Sequence, residues 1–310
     1  MLRCIQLAEN GLGITYPNPL VGSVIVYENK IIGEGWHYQS GMPHAEVNAI
    51  ASVKNQSLLK DATIYVSLEP CSHFGKTPPC ANLIIEKGIK NIIIGSMDPN
   101  PKVAGNGIKL LKDHGSYVVE RVLEKECNKL NKRIFTFFKK QRPYIILKWA
   151  ESSDGFISPK GKIEKRPVWI TNKKSRQLVH KWRAEESSIL IGTNTAIEDN
   201  PSLTTRDWEG NSPIRLVIDK SLKIPIDANV FDFKARTIII TEVKKENEKN
   251  VIYELIDFSK NIATQIIELI YRYKIQSLIV EGGAKTLQTF IDENLWDEAR
   301  IIKGIPFFKE

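Results

Sequence analysis

Pro43-His44-Ala45-Glu46, followed by a helical pattern, a β-rich run and then Glu69-Pro70-Cys71-Ser72-His73-Phe74-Gly75-Lys76-Thr77-Pro78-Pro79-Cys80, is the stretch that decides the fold of the first half. His44, Cys71 and Cys80 make a three-ligand zinc set. Such a set leaves the fourth tetrahedral position open to water, which is the catalytic arrangement and not the closed structural one. Glu46 stands two residues after the histidine, where a carboxylate that is not a ligand can act as general acid and base. A purely structural site would need a fourth protein ligand. His73 is available for that, but its place inside the loop between the cysteines suits a substrate contact better.

Working outward from this stretch, residues 45–53 read as a helix, with His44 at its N-terminus and Glu46 in its first turn. Residues 62–68 form a β-rich run that ends directly at Glu69-Pro70-Cys71, and a second helix starts near Cys80 and stops at Gly88. Upstream, Leu2, Ile5, Leu7 and Ala8 share one side of a helix ending near Gly11 or Gly13. A proline-rich turn (16–22) leads into a strand at 23–27, a turn at Glu28-Asn29-Lys30 and a return strand at 31–36. Downstream come a strand at 91–95, a helix at 107–114 capped by Gly115, and a strand at 117–119. One hairpin followed by alternating strands and helices gives a mixed sheet covered by helices, an α/β sandwich. Both halves of the zinc motif fall at strand or helix ends, where such sheets present ligands.

Residues 123–140 are helical and increasingly basic, and Arg142-Pro143 breaks them. The boundary is placed there, giving domains 1–142 and 143–310. A second α/β alternation follows, with strands at 144–150, 188–192, 214–219, 237–240 and 277–281 and helices at 175–184 and 262–273. Residues 244–250 read as a solvated polar loop. No internal repeat relates the halves.

Composition sets limits on function. Hydrophobic residues make up 42% and charged residues 26%, as in soluble globular proteins. No run approaches the roughly eighteen apolar residues of a membrane span, and the N-terminus lacks the order of a secretory signal. A cytoplasmic location is expected, with no membrane partner. Only four cysteines are present; two lie in the motif, and in a reducing compartment that favours metal over disulfide. Cys4 and Cys127 sit in helical patterns as small core residues. The net charge of +8 fits nucleic acid, an anionic small substrate or a lysine-rich surface. It is spread along the chain without a stripe, which favours the surface reading, with an anionic substrate next.

His-x-Glu followed by Pro-Cys-x-x-Cys is the signature of zinc deaminases, in which zinc lowers the pKa of a water and the glutamate moves its protons. Here eight residues separate Cys71 from Cys80, where the signature has two. That insert carries His73, Lys76 and Thr77. A histidine, an ammonium and a hydroxyl beside a metal suit an anionic group such as a phosphate, although an ordinary exposed loop has the same composition. In the second half no Gly-x-Gly-x-x-Gly follows a strand, so a Rossmann cofactor site has no support. Instead Val280-Glu281-Gly282-Gly283-Ala284 ends a strand and opens a helix. Two glycines there admit a phosphate to the helix N-terminus, or serve only as a tight turn.

The zinc motif, together with Pro17-Asn18-Pro19-x-Val21-Gly22 and Asp98-Pro99-Asn100-Pro101-x-Val103-Ala104-Gly105-x-Gly107, resembles the bifunctional deaminase/reductase family of riboflavin biosynthesis. Lys148-Trp149-Ala150-x-Ser152-x-Asp154-Gly155, Trp169-Ile170-Thr171, Arg183-Ala184 and Asp199-Asn200-Pro201-x-Leu203-Thr204 resemble its reductase half. The resemblance implies a cytidine-deaminase-like α/β/α sandwich followed by a dihydrofolate-reductase-like α/β domain. It implies zinc at His44, Cys71 and Cys80, with Glu46 as proton donor, Asn18 on the base, and His73, Lys76 and Thr77 on the ribose phosphate. In the second half it implies NADPH, met by Ala150, Trp169, Thr195, Asp199 and Gly283, and substrate, met by Arg183, Leu203, Arg206 and Glu281. The reactions implied are deamination of 2,5-diamino-6-ribosylamino-4(3H)-pyrimidinone 5′-phosphate and reduction of the ribosyl group of the product to ribityl.

A homo-oligomer acting on a phosphorylated pyrimidine, without nucleic acid, is expected. Family members continue for several strands beyond this C-terminus, so the second domain is expected to lack those strands and to present an apolar sheet edge. The alternative is a nucleoside or tRNA-type zinc deaminase with an unrelated appended domain. It calls for a short inter-cysteine loop and a basic groove with aromatic platforms. A zinc-stabilised binding module without activity would leave Glu46 without a role.

Overall fold

The computed structural model describes residues 1–73, 78–101, 103–159 and 170–308. Contacts divide the chain into two units, Met1–Gln141 and Arg142–Glu310.

The first unit runs α1 (Leu2–Glu9), β1 (Gly22–Tyr27), β2 (Lys30–Trp36), α2 (Ala45–Ser52), β3 (Thr63–Leu68), α3 (Cys80–Glu86), β4 (Asn91–Ser96), α4 (Asn106–Asp113), β5 (Tyr117–Val119), α5 (Glu124–Leu130) and α6 (Lys132–Lys140). Its five-stranded sheet has the order β2-β1-β3-β4-β5. β1 is antiparallel to both β2 and β3, whereas β3, β4 and β5 are parallel. The hairpin turns through Glu28 and Asn29, both at positive φ, as a two-residue turn matched to the strand twist requires. Side chains alternate along each strand, and this sorts the core. Ile25, Ile64, Val66, Ile92 and Ile94 pack with residues of α2, α3 and α4 on one face. Val24 packs with Cys4 and Leu7 of α1 on the other, where Val26 and Tyr65 join them.

Two glycines of β2 bring α2 unusually close to the sheet. A Cβ on Gly33 would stand 2.6 Å from the Ala49 carbonyl oxygen, and one on Gly35 would stand 2.4 Å from the Ala49 nitrogen. Both lie on the same face of β2, two residues apart. This seat fixes the helix whose first turn carries Glu46.

The segment 123–140, expected as one helix, is two. Asn131 separates α5 from α6, and its buried side chain accepts from Leu20 N–H (2.8 Å) and donates to the Leu20 carbonyl (2.8 Å).

The second unit runs β6 (Tyr144–Glu151), α7 (Lys173–Glu185), β7 (Ser188–Gly192), α8 (Thr193–Asp199), β8 (Ile214–Ile218), β9 (Thr237–Thr241), β10 (Val251–Leu255), α9 (Ile262–Arg272), β11 (Ser277–Val280), α10 (Ala284–Asp292) and β12 (Glu298–Lys303). Its seven-stranded sheet, β10-β9-β8-β7-β11-β6-β12, is parallel throughout. Parallel strands are buried on both faces, and the alternation shows it. Leu190, Leu216, Ile238, Leu278 and Val280 pack with α9 and α10. Their neighbours Ile189, Ile191, Val217, Ile239 and Ile279 join Ala196 of α8, Ile224 and Val230 on the opposite side. Strands β10 and β12 and helix α8 are additions to the sequence reading. Among the described residues, no helix is long and apolar enough to cross a membrane.

Candidate functional site

His44 is the N-cap of α2, Cys71 lies just past β3, and Cys80 opens α3. The fold brings the three together. His44 Nδ1 stands 3.5 Å from Cys71 Sγ and 3.3 Å from Cys80 Sγ, and all three ligand atoms lie within 4.8 Å of one another. Sulfur and nitrogen bound to one tetrahedral zinc are roughly 3.5 Å apart, so the residues present fit that ion. The Cys80 N–H also points at the Cys71 sulfur (3.3 Å). Hydrogen bonds from the Cys80 thiol and from His44 outweigh burial and hold the Cys71 thiol down to about 4, while Cys80 is driven upward. Ligating sulfur is thiolate, so a cation held at this cluster would take the place of the thiol protons.

Glu46 is buried, and its carboxyl lies in hydrogen-bonding contact with Cys80. Burial first, then the Cys71 charge, push its pKa up to about 7; a cation at the ligands acts in the opposite sense. Asn18 is held by His37, a residue the sequence reading did not single out. His37 Nδ1 lies 3.1 Å from the Pro43 carbonyl, so that nitrogen must donate. Burial lowers the pKa of the ring and keeps it neutral, which leaves Nε2 as the acceptor for Asn18 Nδ2 at 3.0 Å. The Asn18 amide is therefore oriented, with Oδ1 its remaining acceptor. His73 is exposed. Lys76 and Thr77, expected beside it, lie outside the described residues.

Glu69 was also missed as a functional residue, although it stands inside the motif. Its buried carboxylate accepts backbone N–H groups from Asp98 (3.2 Å), Gly105 (3.0 Å), Gly107 (2.9 Å) and Ile108 (3.3 Å). It ties the cysteine loop to the Asp98-Pro99-Asn100-Pro101 loop and to the N-terminus of α4. Burial pushes the neighbouring Asp98 up to about 6.

In the second unit, Glu281 follows β11 directly. One carboxylate oxygen takes Lys148 Nζ at 2.6 Å and the other takes Arg183 at 3.0 Å. Burial alone would raise its pKa, but the two cations prevail and hold it at about 2. The cluster carries a net positive charge, and Arg183 Nε is buried without a hydrogen-bond partner among the described residues. Gly283, the N-cap of α10, donates its N–H to Thr195 Oγ1 (3.2 Å) on α8, which brings those two expected residues together. No side chain caps α10, and the Thr286 amide turns back to the Gly283 carbonyl (3.0 Å), which leaves the amides ahead of it at the helix start to meet a phosphate. That geometry fits a phosphorylated cofactor. Asp199 is half-buried at the end of α8, and Ala150 is half-buried near the end of β6. Leu203 is a core residue at 2% exposure and φ 57°, so what it can offer is backbone. The fully buried Arg215 guanidinium holds the adjacent Ser202 carbonyl (3.2 Å) together with Asp232 (2.9 Å). Trp169 lies outside the described residues.

Comparison with known proteins places both halves. The family description "Cytidine and deoxycytidylate deaminase zinc-binding region" matches residues 1–96, and "RibD C-terminal domain" matches residues 143–304. The riboflavin biosynthesis protein RibD of Aquifex aeolicus is 42% identical over 96% of this chain, which covers 83% of that protein. The chain belongs to the RibD family. RibD of Bacillus amyloliquefaciens is 39% identical over 96% of the chain and is covered to 81%. The solved diaminohydroxyphosphoribosylaminopyrimidine deaminase/5-amino-6-(5-phosphoribosylamino)uracil reductase of Thermotoga maritima superposes with a TM-score of 0.90 at 40% identity. The match covers 100% of this chain and 87% of that one. As a member of the family, the chain is a bifunctional enzyme of riboflavin biosynthesis, a zinc-binding deaminase and an NADPH-dependent reductase.

Proposed function

We propose that residues 1–142 deaminate 2,5-diamino-6-ribosylamino-4(3H)-pyrimidinone 5′-phosphate and that residues 143–310 reduce the ribosyl group of the resulting 5-amino-6-(5-phosphoribosylamino)uracil. The observation that carries the first half is the buried Glu46 against a three-ligand cluster of His44, Cys71 and Cys80. A zinc ion held there supplies the Lewis acidity that makes water nucleophilic near neutral pH. Glu46, buried beside the ligands, can take one proton from the water and deliver it to the ring nitrogen, and then pass the water's second proton to the departing ammonia. The Asn18 amide, locked by His37, offers Oδ1 to an N–H of the pyrimidine. His73, Lys76 and Thr77 are assigned to the phosphate.

NADPH supplies the hydride in the second half, and the protein contributes position and charge. We assign its phosphates to the α10 start at Gly283, with Thr195, and further contacts to Ala150, Trp169 and Asp199. Arg183, Arg206 and the backbone of Leu203 hold the substrate. Glu281, fixed as a carboxylate by Lys148 and Arg183, is assigned to the substrate with them. With four unpaired cysteines, the reading places both reactions in the reducing cytoplasm.

Zinc removal tests the division of labour. A strong chelator should abolish ammonia release, added zinc should restore it, and NADPH oxidation on the deaminated intermediate should continue throughout. Ammonia release that survives in zinc-free protein would contradict the first assignment, and a parallel loss of NADPH oxidation the second.

A further inference from the structure

His180 lies on α7, one turn before Arg183, and is buried at 5% exposure. Its Nδ1 receives the backbone N–H of Arg206 at 3.1 Å. A backbone amide can only donate, so Nδ1 must present a lone pair. The proton then sits on Nε2, and the ring is neutral. Nε2 stands 3.7 Å from the Asp207 carboxylate, too far for a direct hydrogen bond.

Arg206 belongs to the connection between α8 and β8, which has no regular structure around it. Its position is fixed twice. The backbone amide is held by His180, and the guanidinium donates to Thr204 Oγ1 at 3.2 Å. Thr204 is itself buried, and Thr205 closes the loop through Ser212 Oγ and the Asn211 carbonyl, both at 3.1 Å. Among these fixings His180 is the one that reaches in from a helix, and that helix also bears Arg183.

We propose that His180 is a positioning residue of the reductase half, whose neutral imidazole seats Arg206 beside Arg183 so that the pair can grip the phosphate of the substrate. The proposal rests on the reading of Arg206 as a substrate contact. It makes the seat sensitive to acid, because a proton on Nδ1 removes the acceptor. The groups facing the ring come from three segments. Burial lowers its pKa most, and Arg183 on α7 and Arg206 on the loop lower it further. Asp207 on the loop and Glu281 after β11 oppose them, and the net shift is downward. The seat is therefore complete above the ordinary histidine range and is lost as pH falls below it.

Two variants and one control decide the matter, read on the full-length enzyme with NADPH and the deaminated phosphorylated substrate. His180→Leu removes the acceptor. The KM for that substrate should rise about tenfold, the scale of one lost hydrogen bond, with kcat within about twofold. NADPH affinity and the KM for the dephosphorylated substrate should stay put, which also reports that the unit is folded. His180→Asn returns an acceptor near the Nδ1 position without a titrating ring. It should restore the KM and flatten the acid limb of kcat/KM, which reports groups of the free enzyme. Phosphate ionisation is common to both proteins and cancels in the comparison. Arg206→Ala should raise the KM at least as far as His180→Leu. If Arg206→Ala leaves the KM unchanged, the reading of Arg206 fails. If Arg206→Ala raises it while His180→Leu does not, or if His180→Asn keeps the wild-type acid limb, the role given to His180 is overturned.

Discussion

Glu46 illustrates how much a single position depends on its surroundings. A solvent-exposed glutamate is almost fully ionised at neutral pH, whereas burial and the Cys71 charge raise this one to about 7 without a cation and a bound cation draws it back down, so its proton exchange is governed by its neighbours. Replacement by Gln keeps the volume and removes the exchange. Glu46→Gln should retain stoichiometric zinc and lose about 10²- to 10⁴-fold in ammonia release; undiminished turnover in a zinc-loaded variant would remove Glu46 from the chemistry. At this scale the sequence was most legible where chemistry restricts residue type. Zinc accepts few side chains, and their order along the chain identifies them. His37 was hidden because its meaning lies in two contacts, one with Asn18 and one with the Pro43 carbonyl, which no spacing rule connects. Glu281 is expected at a site only through the family resemblance, and its ion pairs with Lys148 and Arg183, 133 and 98 residues away, leave no trace in the local sequence.

Elements were read well where local pattern and tertiary demand coincide. The β1–β2 hairpin and the strands β3 and β4 carry their own hydrophobic and turn signals, and they fall where those signals put them. Asn131 shows the opposite case. Local periodicity runs on through it, but its amide is engaged by the Leu20 backbone 111 residues earlier, and the helix divides. Strand β12 was missed because Glu298-Ala299-Arg300-Ile301-Ile302-Lys303 is half charged and pairs only at the sheet edge, with β6. Gly33 and Gly35 were seen as part of a strand without a reason. The reason is the seat they give α2. Gly35→Ala must push α2 outward and displace Glu46 from the metal ligands. The expected cost is about 1–3 kcal/mol of stability together with loss of most deaminase turnover, while reduction of the deaminated intermediate proceeds at the wild-type rate. Ammonia release and NADPH oxidation, measured on one sample, check this; normal ammonia release would show that the close packing is not what places Glu46.

For the molecule as a whole, the two units solve different problems with different sheets. The first places three ligands and a carboxylate around one point, using strand and helix ends of a mixed sheet. The second gathers charged side chains and a helix N-terminus beyond the carboxyl ends of parallel strands, where open α/β sheets bind ligands. Family membership joins the two reactions in one chain, and the separate sites predict that they can be separated in a cuvette. The direct measurement gives the enzyme 2,5-diamino-6-ribosylamino-4(3H)-pyrimidinone 5′-phosphate with and without NADPH, and follows ammonia together with the nicotinamide absorbance. Ammonia should be released at the same initial rate in both samples, and where NADPH is present each ammonia should be followed by oxidation of one NADPH. NADPH oxidation that runs ahead of ammonia release, or ammonia release that waits for NADPH, would contradict deamination at the zinc site as the independent first step.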